Sequence, residues 1–104
     1  MGNAYARGVG ISQDYKVAAK WYTLAAEQGY ANAQGFLGWL HASGNGVLKN
    51  YTHAHMWGNI ASANGDEFGG KLRDEIEKMM TSSDISTAQR LASECIKKEY
   101  KYCG

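Results

Sequence analysis

The sequence contains no proline. Proline breaks helix interiors and removes ladder hydrogen bonds, so its absence leaves long helices unobstructed. Valine and isoleucine are sparse, which speaks against a sheet. Excess charge is lacking as well, since 11 Lys and Arg against 10 Asp and Glu give a net charge of +1. No strong field draws such a chain to nucleic acid or to an anionic membrane, and neither partner is expected. No apolar run approaches the roughly 18 residues of a membrane span, so no membrane insertion is expected. The N-terminus has no basic patch leading into an apolar stretch, and no signal peptide is expected in these residues.

What is present suits one modest domain. The 104 residues are 44% hydrophobic and 20% charged, an ordinary globular balance that argues against disorder. The chain has 13 glycines and a similar wealth of alanine, small residues that let helices approach closely.

Sliding the chain against itself by 36 residues lays residues 5–34 on residues 41–70. Eight of the 30 pairs are then identical: Ala6 and Ala42, Gly8 and Gly44, Gly10 and Gly46, Tyr15 and Tyr51, Ala18 and Ala54, Trp21 and Trp57, Ala25 and Ala61, Gly29 and Gly65. Chance would give about two. The unit reads as helix, turn, helix. Asp14 is expected to cap a helix running to Gln28, with Tyr15, Ala18, Ala19, Tyr22, Ala25 and Ala26 at helical spacing. Gly29 stops it. A second helix is expected over 31–42, with Leu37, Leu40 and His41 inward and Gly38 admitting a neighbour. Asn50 caps a third helix that ends near Gly65, and a fourth is expected over 66–80, stacking Phe68, Leu72, Ile76 and Met79.

Thr81 with Asp84 three residues on forms a capping box for the last helix. That helix sets Ile85, Ala88, Leu91, Ala92, Cys95, Ile96 and Tyr100 on one stripe, and Gln89, Arg90, Glu94, Lys97, Lys98 and Lys101 off it. Its polar outer face suits the cap of a stacked repeat. Trp21 and Trp57 are both expected to be buried.

The recurring residues carry a pattern. Gly8-x-Gly10-Ile11, Gln13-Asp14-Tyr15, Ala18, Lys20-Trp21-Tyr22 and Ala25-Ala26-Glu27-Gln28-Gly29 resemble the Sel-one-like repeat (SLR), a relative of the tetratricopeptide repeat (TPR). So do Ala31-x-Ala33-Gln34, Leu37-Gly38, Gly44-x-Gly46-Val47, Asn50-Tyr51, Ala54 and Trp57. The resemblance implies an all-α fold, an α-solenoid of antiparallel helix pairs wound as a right-handed superhelix. About two and a half repeats are expected in a single domain over 1–104. The first spans about 1–29, the second about 30–65, and a C-terminal capping helix pair about 66–102. The segment from Arg73 to Ala92 looks like the terminal pair that closes bacterial members, which favours a bacterial source. The resemblance alone favours a periplasmic or secreted location over a cytoplasmic one. His41 stands where the family usually has Tyr, as Tyr5 does, and the first helix of the first unit is cut short.

Other motifs carry less. Gly65 to Leu72 nearly spells a phosphate-binding loop, but Leu72 stands where a hydroxyl must meet Mg²⁺, and Asp66 and Glu67 would repel phosphate. His53 and His55 lie two residues apart, about 200° around a helix, so they face opposite ways and no metal site is expected. Cys95 lies on the apolar stripe, and a continuing helix would hold Cys103 about 12 Å from it, too far for a disulfide. Asn50-Tyr51-Thr52 is a glycosylation sequon better explained by a helix cap. No nucleophile with a base is discernible, so no catalytic residues, no cofactor and no enzymatic activity are expected.

Function therefore reads first as a protein–protein interaction module. The resemblance implies a scaffold that binds a peptide or protein partner in a concave groove lined by the first helix of each unit. Counting along those helices points to Asn3 and Arg7, then Asn32, Gly35, Trp39 and Ser43, then Lys71 and Glu75. Trp39 is the anchor expected of an exposed aromatic, set against packing on a neighbouring helix. Two alternatives stand beside this reading. Cysteine-rich relatives are described as β-lactam-binding or hydrolysing, although their cysteine pattern is missing here. The shortened first helix also leaves apolar surface around Ala4, Tyr5 and Trp21 through which the chain could self-associate.

Overall fold

A computed structural model describes residues 12–103, and within them the chain is five helices with no strand. They are α1 (Ser12–Glu27), α2 (Ala31–Ser43), α3 (Tyr51–Ala63), α4 (Glu67–Glu77) and α5 (Ser82–Lys97). The expected sites Asn3 and Arg7, and the apolar surface at Ala4 and Tyr5, lie outside the described residues.

Local chemistry sets the helix ends. Asn50 accepts the His53 N–H at 3.0 Å, Asp66 the Gly69 N–H at 2.9 Å, and Thr81 the Asp84 N–H at 3.1 Å. Each satisfies a backbone donor that a helix start leaves unpaired. Asp14 is not the cap of α1, because the chain is already helical at Ser12. The helix reading also ran long at two ends: α4 stops at Glu77, with the next residues forming a turn, and α5 stops at Lys97.

The packing is a stack of helix pairs. The α2 helix lies against α1, α3 and α4, while α3 lies against α2, α4 and α5. The core runs through Leu37 and Leu40 of α2, Met56, Trp57 and Ile60 of α3, and Ala92 and Cys95 of α5, closed by Ala19 and Ala26 of α1. Small residues let the rods meet. A Cβ on Gly58 would stand 2.8 Å from the Gly69 carbonyl oxygen, so α3 and α4 touch backbone to backbone there. Gly46 adopts φ +79°, and a Cβ there would run into the Tyr15 carbonyl, so its lack of a side chain lets the α2–α3 turn lie on α1.

Several expected core positions are bare. Phe68 and Met79 are 48% and 61% exposed, because the short α4 buries only Gly69, Gly70 and Ile76. Ile96, at the end of α5, is also exposed. Trp57 is buried as expected, but Trp21 is 59% exposed, because no described element lies over the outer side of α1.

Past Lys97 the chain reverses. Glu99, Tyr100 and Tyr102 all take left-handed backbone angles (φ 55°, 68° and 58°). The reversal brings Cys103 back to Cys95, and the two form a disulfide with Cα atoms 5.4 Å apart. The expected 12 Å separation presumed a helix that in fact ends at Lys97. Contacts with distant helices hold the tail in this costly conformation. The Tyr100 ring lies on Gly29, its hydroxyl accepts from Asn64 Nδ2 at 3.2 Å, and Lys101 Nζ donates to the Glu27 carbonyl at 3.0 Å.

Candidate functional site

The α2 helix carries the residues that sequence reasoning assigned to a groove. Asn32 and Ser43 are exposed at its two ends. Ser43 Oγ donates to the Trp39 carbonyl at 2.9 Å and accepts from Asn45 Nδ2 at 3.0 Å. Trp39 is half-buried between them. Gly35 is turned elsewhere: it is buried, with the Asp66 carboxylate and the Gly69 Cα against it. Its lack of a side chain serves the contact between α2 and α4. Lys71 and Glu75 stand exposed on α4, and Glu75 accepts from Lys78 Nζ at 3.2 Å.

The rings around Trp39 form a run. Tyr22 of α1 lies 4.4 Å from Phe36, Phe36 lies 5.2 Å from Trp39, and Trp39 lies 6.2 Å from Tyr15, centroid to centroid. The separations and tilted planes are those aromatic pairs prefer. All four rings are partly buried against the core, so each offers an edge to solvent. Sequence reasoning named Trp39 and missed Phe36, Tyr15 and Tyr22 as its companions. The signal was there: Phe36 and Trp39 are three apart and Tyr15 and Tyr22 seven apart, so each pair shares a helix face.

A second polar feature ties the helix ends. Gln34, fully buried, donates through Nε2 to the Ala26 carbonyl at 3.1 Å and accepts from Asn64 Nδ2 at 2.9 Å. Asn64 also reaches the Tyr100 hydroxyl, so one chain of bonds joins α1, α2, α3 and the tail.

The histidines divide as their spacing requires. His55 is fully buried, with Nε2 2.7 Å from Glu77 Oε2, whereas His53 turns to His41, ring to ring at 5.6 Å. Burial holds the His41 pKa below the ordinary histidine value, the neighbouring His53 adds to the effect, and a hydrogen bond with the Leu48 backbone opposes it. Among the described residues no group of three His, Cys, Asp or Glu side chains is placed to hold a metal ion. Both cysteines are in the disulfide, so no described thiol is available as a nucleophile.

A family model of the Sel1 repeat matches residues 1–30 and 31–66. Among solved structures, the chain is similar to the crystal structure of c5321, a protective antigen present in uropathogenic Escherichia coli strains and displaying an SLR fold. The two are 36% identical with a TM-score of 0.85, over 98% of this chain and 22% of that one. This chain thus spans less than a quarter of that protein's length. No curated protein matches the chain.

Proposed function

Because the chain belongs to the Sel1 repeat family, whose helix pairs stack into scaffolds, we propose that it is a protein–protein interaction module binding a peptide or protein segment along α2. One observation carries the reading: the ring run Tyr22, Phe36, Trp39 and Tyr15 offers aromatic edges between the exposed amide of Asn32 and the hydroxyl of Ser43. Rigid aromatics flanked by hydrogen-bonding groups suit an extended peptide. Lys71 and Glu75 on the adjacent α4 extend the surface with one charge of each sign, whereas Gly35 supports it from beneath. Asn3 and Arg7 belong to the same proposed surface by sequence register.

Panning a displayed peptide pool on the protein tests this. Selected peptides should lose at least about 30-fold in affinity on Trp39→Ala, the loss typical of a hot-spot residue, with helix content unchanged. Peptides that bind the variant equally well would place the site elsewhere.

The β-lactam alternative gains nothing from the described residues, whose cysteines are locked together. Turnover of a chromogenic β-lactam above buffer rate would revive it. Self-association is a second reading, favoured by the exposure of Trp21 and Leu24 on α1. The disulfide also supports assembly in an oxidising compartment.

A further inference from the structure

The side of α1 turned from the core is a stripe of Val17, Lys20, Trp21 and Leu24, ending at Glu27. Trp21 and Leu24 are 59% and 56% exposed. With Gly46 and Val47 of the α2–α3 turn the stripe lines an open groove of about 760 Å³. One repeat further on, the same positions are Trp57 and Ile60 of α3, 3% and 0% exposed. Among the described residues, the second unit buries a surface on which the first has nothing packed. We propose that a second copy of this chain covers it, α1 against α1, in an antiparallel two-fold dimer. This rests on the self-association reading above and gives it a geometry.

Two features select that occupant. The other end of the stack cannot receive the stripe. The outer face of α5 exposes Gln89, Arg90 and Glu94, with Arg90 and Glu94 paired at 3.2 Å. A head-to-tail stack would press those charges onto Trp21 and Leu24 and strip their water, a cost that apolar side chains return nothing for. Head-to-head contact avoids them and closes on itself.

The second feature is the order of charge along α1. Lys16 and Lys20 lie in its first part and Glu27 at its end. In a two-fold contact residue i meets j and j meets i. A dyad near Thr23 and Leu24 therefore sets Lys20 of each copy on Glu27 of the other, and runs the helix dipoles antiparallel. A parallel pairing would set lysine on lysine. Neither side chain has a partner among the described residues, and Glu27 holds Lys101 through its backbone carbonyl, leaving its carboxylate available. A 16-residue helix offers a face about 24 Å long, so the interface falls at the small end of specific contacts and the dimer depends on concentration.

Sedimentation velocity on the 104-residue chain, from low micromolar to near-millimolar protein, tests the proposal. A monomer–dimer equilibrium is expected, with no larger species. Leu24→Asp should remain monomeric throughout with an unchanged circular dichroism spectrum, since Leu24 supports no core contact. Lys20→Glu and Glu27→Lys should each weaken the dimer by about tenfold, two symmetric ion pairs becoming repulsive. The double variant, with both charges exchanged, should recover wild-type affinity.

A monomer at every concentration removes self-association altogether. A dimer indifferent to Leu24→Asp leaves self-association standing but removes this interface. Failure of the double exchange to restore affinity removes the antiparallel register, and growth into open-ended oligomers removes the two-fold closure.

Discussion

Trp21 and Trp57 hold the same position in successive units, yet one is 59% exposed and the other 3%. The difference lies in what stands alongside. Around Trp57, Thr23 and Glu27 of α1, Leu37 and His41 of α2, Val47, and Tyr102 and Cys103 of the tail enclose a cavity of about 300 Å³. Trp21 faces the open groove along α1. A repeat writes the residue into each unit, but the neighbouring unit supplies the burial. Identical positions in a repeat array are therefore not energetically identical.

The sharpest way to break the comparison is to truncate each ring in turn. Trp57→Ala should cost about 3–5 kcal/mol, because it removes a large ring from a closed site that cannot fully collapse. For a domain of this size that is a fall of at least about 12 °C in melting temperature. Trp21→Ala, measured at concentrations where the chain is monomeric, should change stability by no more than about 0.5 kcal/mol, as surface substitutions do. Equal losses in urea denaturation would mean that the two sites are alike after all.

The tail wall of the Trp57 site offers the next largest effect. The disulfide closes a loop between residues eight apart in sequence. Chain-entropy reasoning gives such a short loop about 2–3 kcal/mol. Cys103→Ser should lose about that much. It should also shift the Trp57 emission to the red as Tyr102 and Cys103 withdraw, read in a background of Trp21→Phe and Trp39→Phe. Unchanged emission would show that the tail does not close the site. Removing Asn64, the hinge of the bond chain from Ala26 to Tyr100, should act in the same direction more weakly. Asn64→Ala leaves the buried Gln34 carbonyl oxygen without its partner, a loss of about 1–2 kcal/mol by denaturant titration.

Much of the architecture is legible in the residues. The 36-residue recurrence, the Asn50 and Thr81 caps, and Gly29, Gly44 and Gly65 at helix ends, each with positive φ, are local signals that act through their own backbone. What was illegible depends on partners or on unusual backbone. Glu99, Tyr100 and Tyr102 turn the tail without a glycine to mark it, so a helix drawn through to residue 102 hid the disulfide. Gly35 fell on the groove side by counting along a helix. Counting cannot show that Asp66 and Gly69 press against that spot. For the candidate site, spacing located Asn32, Trp39 and Ser43 on one face. The aromatic run itself needed the α1–α2 contact, which no single helix encodes.

The smallest effect separates the two tryptophan sites by pH. His41 lines the Trp57 cavity together with Glu27, and His53 is in ring contact with it. Its Nδ1 is buried without a partner. Burial first, and then His53, hold its pKa in the folded chain below the 6.5 of an unperturbed histidine. Below that unperturbed value the unfolded chain takes up a proton more readily than the folded one, so stability falls as pH drops through this range and on through the lower folded-state pKa. Above pH 6.5 the stabilisation from a neutral His41 is complete. Melting temperature should therefore decline on acidification from pH 7 to 5, by less than Trp57→Ala causes. His41→Phe should flatten that part of the profile, while Trp21→Ala leaves its slope unchanged. A profile that keeps its full slope in His41→Phe would assign the titration to another group.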